Sequence, residues 1–297
     1  MKKNHFEKAH IALLFAMMFW GMSFVWTRQL LMVFSPLIII FFRLILSFIL
    51  LFAIAKLSKR LQKIHKRDYG YLFLLSMSQP FLYFIFEGYG IKYTSASIAS
   101  ILIATIPLFT PIGAYFLFKE KLGSMNIFGL FISFAGVVLV VADFGNKADF
   151  SILGVGLLFL AVITGTIYGL GLKKLTEKYN SITITSYQNL IGIFLFLPLI
   201  IGFESKHLLD FTNLLTFDLA LSLFNLALFA SSIAFVLFAY GIQKIGPSKA
   251  SVFSNSIPIF TLLFAYFVLG ESITLWKIVG IAIVLLGLFL AQLKKRA

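Results

Sequence analysis

The sequence predicts an all-α integral membrane protein: ten transmembrane helices arranged as two inverted five-helix repeats. Three observations carry that reading: an apolar composition, the spacing of its apolar runs, and an internal repeat that spans an odd number of those runs. Hydrophobic residues make up 60% of the 297 positions and charged residues only 12%, with a mean hydropathy of +1.00. A soluble domain of this length has no core large enough to hide so much apolar side chain. In lipid every backbone amide needs an internal partner, which leaves helix bundles or closed barrels. Barrel strands alternate apolar and polar residues, whereas 278–291 and, Arg43 and Ser47 aside, 38–55 are apolar on every side. Helices are therefore expected throughout.

A helix needs about 20 apolar residues to cross a hydrocarbon core of about 30 Å. Reading between charged and turn-rich breaks gives spans near 11–33, 37–55, 69–91, 95–118 and 125–142, then 152–172, 182–203, 217–242, 248–269 and 274–292. Lys2, Lys3 and Lys8 precede the first run as in a signal peptide, but 11–33 lacks a small-residue cleavage pattern and reads as a retained helix. The absence of cysteine excludes disulfides, thiolate metal sites and a Cys nucleophile.

Basic residues are retained on the cytoplasmic side of a membrane. With the N-terminus inside, 19 of the 25 Lys and Arg residues fall in inner segments, six of them (Lys56, Lys59, Arg60, Lys63, Lys66, Arg67) between helices two and three. Outer loops hold five, Arg28, Lys92, Lys147, Lys206 and Lys277, and Arg43 lies inside a span. The expected arrangement is a multi-pass protein of the plasma (inner) membrane with both termini cytoplasmic. The +14 charge is thus a topology signal and a contact for anionic headgroups of the lipid bilayer, and no nucleic-acid partner is expected.

An offset of 151 residues aligns 89–139 with 240–290 without a gap, and 19 of the 51 pairs are identical. The rarer types carry the weight: Tyr89/Tyr240, Gly90/Gly241, Ser97/Ser248, Pro107/Pro258, Thr110/Thr261, Glu120/Glu271, Gly129/Gly280 and Gly136/Gly287. An offset of 144 aligns Leu13-Leu14-Phe15 with Leu157-Leu158-Phe159, and Gly21 with Gly165. Two units follow, 1–145 and 146–297. Five helices per unit is odd, so the second copy enters the membrane from the opposite side. Inverted repeats are a recurrent architecture of secondary transporters, with the substrate site near midplane between the halves. The expected mechanism is alternating access.

Pro107 and Pro258 are repeat mates at the centres of helices four and nine. Each removes a backbone hydrogen bond, which is expected to free the carbonyls of Ile103 and Ser254 and to make the two prolines hinges. The polar residues inside the spans are the candidate cavity lining for a small-molecule substrate: Trp20 and Ser23 with Phe24, Gln79, Tyr83 and Glu87, Thr164 and Tyr168, Asn225, Ser254 and Asn255. Gln79, Tyr83 and Glu87 are spaced by four and share one helical face. Glu87 and Arg43 are the formal charges well inside spans, and such residues are functional suspects. Glu87 is a candidate for a substrate ammonium, a coupling proton or an ion pair with Arg43; Arg43, about 10 Å into helix two, also reads as a snorkelling side chain or carbonyl clamp. Glu120 and Glu271 are expected to stabilise the starts of helices five and ten through the helix dipole. Gly165 and Gly169 are spaced to let helix six approach a neighbour.

The motifs Trp20-Gly21 with Ser23-Phe24, Phe42-Arg43-Leu44, 92–97 (KYTSAS), 107–109 (PLF), Lys119-Glu120 and Gly270-Glu271 give the chain its family likeness. It resembles, over its whole length, two tandem repeats of the EamA family of the drug/metabolite transporter superfamily. The resemblance implies a small-metabolite transporter, commonly an exporter of amino acids or related compounds, with a central cavity lined by helices one, three, four, six, eight and nine. Glu87 departs from the neutral residue more usual in that family. The competing reading is an intramembrane enzyme acting on a lipid or isoprenoid. Such chemistry calls for clustered carboxylates, His pairs or a metal site, whereas His5, His10, His65 and His207 fall at termini or in loops. A channel would need a charge ring or filter-like segment. No enzymatic activity, cofactor or metal is expected.

Overall fold

The computed structural model describes residues 2–118, 124–141 and 151–292, and no strand occurs among them. The first five helices are α1 (Lys2–Leu31), α2 (Pro36–Leu57), α3 (Lys66–Lys92), α4 in two pieces (Ala96–Ile103 and Ile106–Phe118) and α5 (Ser124–Val141). Then follow α6 (Ile152–Thr176), α7 (Ser181–Phe203), α8 (Phe217–Ile245), α9 (Pro247–Leu269) and α10 (Leu275–Gln292), with a short helix, Ser205–Leu214, between α7 and α8. Eight are long and apolar enough to cross a membrane. The other two, α5 and α10, are 18 residues each, about 27 Å at the α-helical rise, and pack on one another.

Local chemistry sets where the helices begin. The Ser35 hydroxyl accepts from the Ile38 N–H and Pro36 occupies the first turn of α2, a position where its missing N–H costs nothing. Ser95, Asn180 and Thr216 cap α4, α7 and α8 in the same way.

The repeat is visible as reciprocal packing. A Cβ on Gly136 of α5 would lie 2.6 Å from the Val284 nitrogen, and one on Gly287 of α10 would lie 2.3 Å from the Ser133 nitrogen. Gly136 and Gly287 are mates at the 151 offset, and so are Ser133 and Val284; each helix therefore approaches the other at the mate of the point where it is approached. As the contact moves up α5 it moves down α10, so the two cross antiparallel. The inner helices repeat the motif. Gly90 of α3 seats Leu158 of α6, while its mate Gly241 of α8 seats Leu13 of α1. Gly21 meets Ile257 of α9, and its mate Gly165 meets Ile106 of α4.

Polar clasps join the halves at the end carrying the six-residue basic cluster. Lys178 Nζ and the Tyr179 hydroxyl each donate to Asp68 at 2.7 Å. Asn180 Nδ2 donates to the Arg60 carbonyl, and the Gln62 N–H donates to Thr183. The connection between α2 and α3 is thereby fastened to the turn between α6 and α7, with Ile64 buried beneath it.

At Gly136 and Gly287 the crowding atoms are backbone and cannot rotate away. Gly136→Ala or Gly287→Ala should each destabilise the protein by about 1–3 kcal/mol, the usual cost of overpacking, read as a lower melting temperature in detergent. Gly202→Ala, whose Cβ would meet nothing within 4 Å, should leave that temperature unchanged or raised.

Candidate functional site

Four of the cavity-forming helices, α3, α4, α8 and α9, are irregular at mid-depth. In α3 the backbone leaves helical geometry at Gln79 (φ −150°, ψ 123°), immediately before Pro80. Proline disfavours the α region for the residue before it, so the sequence itself dictates this break, and Gln79 is buried where such a break is tolerated in a membrane protein. In α8 a π-helical stretch, Leu226–Ala234, frees the Ala230 carbonyl to accept from Trp20 Nε1 at 3.2 Å. The same stretch turns Ser231 toward Arg43 and lets Ser232 donate to the Ala227 carbonyl.

In α4 and α9 the helix is interrupted just ahead of the repeat-related prolines. Ala104 and Thr105 form a turn before the second piece of α4, and Val252–Ser256 is 3₁₀-helical before Ile257–Phe264. Pro107 and Pro258 therefore sit in the first turn of a new helical piece, where proline is favoured, rather than inside a continuous helix. One sequence expectation changes as a result. The Ser254 carbonyl is not freed; the Ile257 N–H donates to it within the 3₁₀ turn.

These irregular segments surround one central cavity. Of the residues singled out in the sequence, Trp20, Ser23, Phe24, Gln79, Tyr83, Glu87, Tyr168 and Ser254 line it. Thr164 does not: its hydroxyl donates back to the Leu160 and Ala161 carbonyls. Asn225 and Asn255 also lie off the lining, and Asn255 Oδ1 is buried without a hydrogen-bond partner among the described residues. The lining also includes Arg43, Phe84, Thr110, Phe235, Phe238 and Ser251. Arg43 had a signal in the sequence, as a charge within a span. The phenylalanines had none, because a lining Phe and a packing Phe look alike among 36 of them.

The cavity volume is about 50 Å³. The cavity is narrow, and a solute larger than a few waters enters only if side chains yield. It extends from mid-depth toward the basic end, where Pro247 at the start of α9 belongs to the lining. Toward the other end it stops at Glu87 and Ile103, short of the terminal turns.

Two opposite charges border this cavity. Arg43 is 3% exposed; its Nε donates to Ser231 Oγ at 2.8 Å and its guanidinium carbon lies 4.1 Å from the centre of the Phe84 ring. Glu87 is 9% exposed and accepts from the Tyr83 hydroxyl at 2.8 Å. Among the described residues no ion pair joins them. The Arg43 Nη groups and Glu87 Oε2 have no hydrogen-bond partner among the described residues, and neither group is sealed away from the cavity. Charges in a low-dielectric site are costly to leave unpaired, and here donors of Arg43 and an acceptor of Glu87 are left facing the cavity. Aromatic surface fills the rest. Trp20 packs against Phe235 and Phe238, and Tyr168 packs against Phe235. Beneath Arg43 a hydrogen-bonded chain runs from Asn189 through Ser47 and Ser232 to the Ala227 carbonyl, joining α7, α2 and α8.

Of the two repeat-related acids, Glu271 does not behave as the sequence suggested. Glu271 does not serve the start of α10, where Thr274 accepts from the Lys277 N–H. Its carboxylate instead accepts from the Ala96 N–H and the Ser97 hydroxyl at the first turn of α4. Glu120 lies outside the described residues. Gly165 does bring α6 against Ile106 and Tyr83, whereas Gly169 faces open space.

A model of the EamA-like transporter family matches residues 7–142 and again 152–293. A protein of Archaeoglobus fulgidus named "uncharacterized transporter" is 29% identical over 293 residues, covering 97% of this chain and 100% of its own. A protein of Bacillus subtilis named "uncharacterized transporter YetK" is 27% identical, over 85% of this chain and 77% of its own. A WAT1-related chloroplastic protein of Arabidopsis thaliana is 26% identical, over 92% of this chain and 67% of its own. One solved crystal structure superposes with a TM-score of 0.73 over 96% of each chain at 14% identity, which shows a shared fold.

Because Gly169 lines the cavity and a Cβ there would meet nothing within 4 Å, Gly169→Cys is expected to fold normally. In sealed vesicles its thiol should react with an impermeant reagent supplied from the face that carries the N-terminus, and much more slowly from the opposite face.

Proposed function

Since the chain belongs to the EamA-like transporter family, we propose that it is a secondary transporter or facilitator that exports small metabolites such as amino acids by alternating access around the central cavity. The two family matches, 7–142 and 152–293, are consistent with 1–145 and 146–297 acting as the two moving halves. With the basic end cytoplasmic in the inner membrane, the cavity as it stands is an inward-facing binding site.

The observation that carries the reading is the pair of opposite buried charges. Arg43 offers two Nη groups in a planar fork suited to a carboxylate. Glu87, held by Tyr83, offers an acceptor to an ammonium group. An α-amino acid carries both groups, and its side chain would lie against the aromatic surface of Trp20, Phe235 and Phe238. A simple amine would leave Arg43 unpaired and a simple acid would leave Glu87 unpaired, each at a cost of a few kcal/mol. Glu87, the one acid among the described lining residues, is also the site at which a coupling proton would exchange with the cargo ammonium.

The interruptions ahead of Pro107 and Pro258 supply the bending points for the two halves. Pro107→Ala and Pro258→Ala should each slow turnover more than they lower folded yield; normal transport by both variants would remove the hinge. Counterflow in proteoliposomes with a metabolite panel tests the cargo. The wild type should exchange at least one zwitterionic amino acid saturably, and Arg43→Gln and Glu87→Gln should each weaken half-saturation by about tenfold or more, the loss of one hydrogen-bonded charge contact. If Glu87→Gln changes neither affinity nor the pH dependence of flux, Glu87 has no part in cargo or proton binding.

A further inference from the structure

The contact between Glu271 and the first turn of α4 joins the two halves at the end where the cavity is closed. Glu271 follows the last residues of α9, and Gly270 before it has φ +66°, a left-handed conformation that glycine adopts without strain. That turn directs the acidic side chain across the interface instead of along its own chain. There it accepts from the Ala96 N–H at 3.2 Å and from the Ser97 hydroxyl, beside the positive end of the α4 dipole. Ser97 is buried and Glu271 partly so, and hydrogen bonds to a charged acceptor are the stronger kind.

Three features mark this as more than a local cap. Ser95 already caps α4 by accepting from Ile98, so the helix does not depend on Glu271 for its start. The clasp ties α4 to α9, the two helices that are interrupted at mid-depth and are mates at the 151 offset. The ends of the molecule are also unequal: the mate of Ala96 is Pro247, which has no N–H, so the same pair of donors does not exist at the start of α9. The closed end therefore has a clasp that the first turn of α9 at the open end cannot copy.

We infer that Glu271, with Ala96 and Ser97, is the latch that holds the end opposite the basic face shut, and that its release is required for the cavity to open there. The inference rests on the alternating-access reading. It makes Glu271 a residue that sets the balance between the two facing states without touching cargo.

The absence of cysteine gives a clean test. Ile103→Cys places a single thiol on the lining of the cavity near its closed limit, and an impermeant methanethiosulfonate reagent is supplied in sealed vesicles from the face opposite the N-terminus. Adding Glu271→Gln, or separately Ser97→Ala, should speed labelling from that face about tenfold or more and slow labelling of Gly169→Cys from the N-terminal face. Ser97→Ala removes one hydroxyl only, so it keeps the test open if Glu271→Gln fails to fold. An unchanged labelling rate in a folded Ser97→Ala variant overturns the latch. Labelling needs no cargo: faster labelling without counterflow of any panel compound upholds the latch while sinking the cargo reading, and counterflow with unchanged labelling does the reverse.

Discussion

At membrane depth a polar group finds its partner inside the protein or goes without, and most of this structure follows from that constraint. It makes the backbone helical and turns polar side chains inward. It also makes any interruption of a helix acceptable only where protein or a cavity surrounds it. The breaks at Gln79 and at Val252–Ser256 put Gln79 and Ser254 on the cavity lining, and those at Ala104–Thr105 and Leu226–Ala234 are flanked by the lining residues Ile103, Ile106 and Phe235. Carbonyls and hydroxyls released there are taken up by Trp20, Arg43 and Ser47. Each such bond is worth only about 0.6 kcal/mol on average in a membrane protein, so their role is to fix orientation more than to supply stability. Close packing through glycine supplies the rest of the framework, most visibly where α5 and α10 touch through backbone atoms.

Against this background two charges without a mutual ion pair stand out. The molecule pairs Asp68 with Lys178 and Tyr179 at its basic end, so pairing is available to it. Arg43 and Glu87 are each fixed by one neighbour, Ser231 and Tyr83, and otherwise face the cavity. On the proposed function such a site is preorganised: the desolvation of both charges is already met by the fold, and a ligand with complementary charges would recover it. The aromatic rings around them give such a ligand an apolar surface, and the narrowness of the space favours a small one.

Much of this was legible in the sequence. Composition and span length gave the ten helices, because they depend only on how many apolar residues a bilayer requires. The 151-residue repeat pairs Gly136 with Gly287 and Gly90 with Gly241, and in the structure each of these glycines is where its helix is closely approached by another. Eight of the eleven named lining residues border the cavity, because a polar side chain in lipid has few other places to go. The failures are equally physical. Thr164 satisfied itself locally by bonding to its own helix, an option no spacing rule excludes. Phe235 and Phe238 carry no chemical mark that separates lining from packing. The freed carbonyl expected at Ser254 was taken by a 3₁₀ turn, because a helix can restart at a proline instead of bending through it. The position of Glu271 just ahead of α10 suggests a role at its own helix; a left-handed glycine sends it across the interface, and only tertiary geometry reveals that.

The central claim is that Glu87 and Arg43 recognise the two ends of one zwitterion, and its most direct test is a cycle between protein and ligand chemistry. Binding of a transported amino acid is compared with that of its analogue lacking the amino group, in the wild type and in Glu87→Gln. The account predicts that the wild type discriminates against the deaminated analogue by about tenfold or more, and that this discrimination disappears in the variant. Equal discrimination by both proteins would show that the ammonium is read elsewhere and would contradict the account.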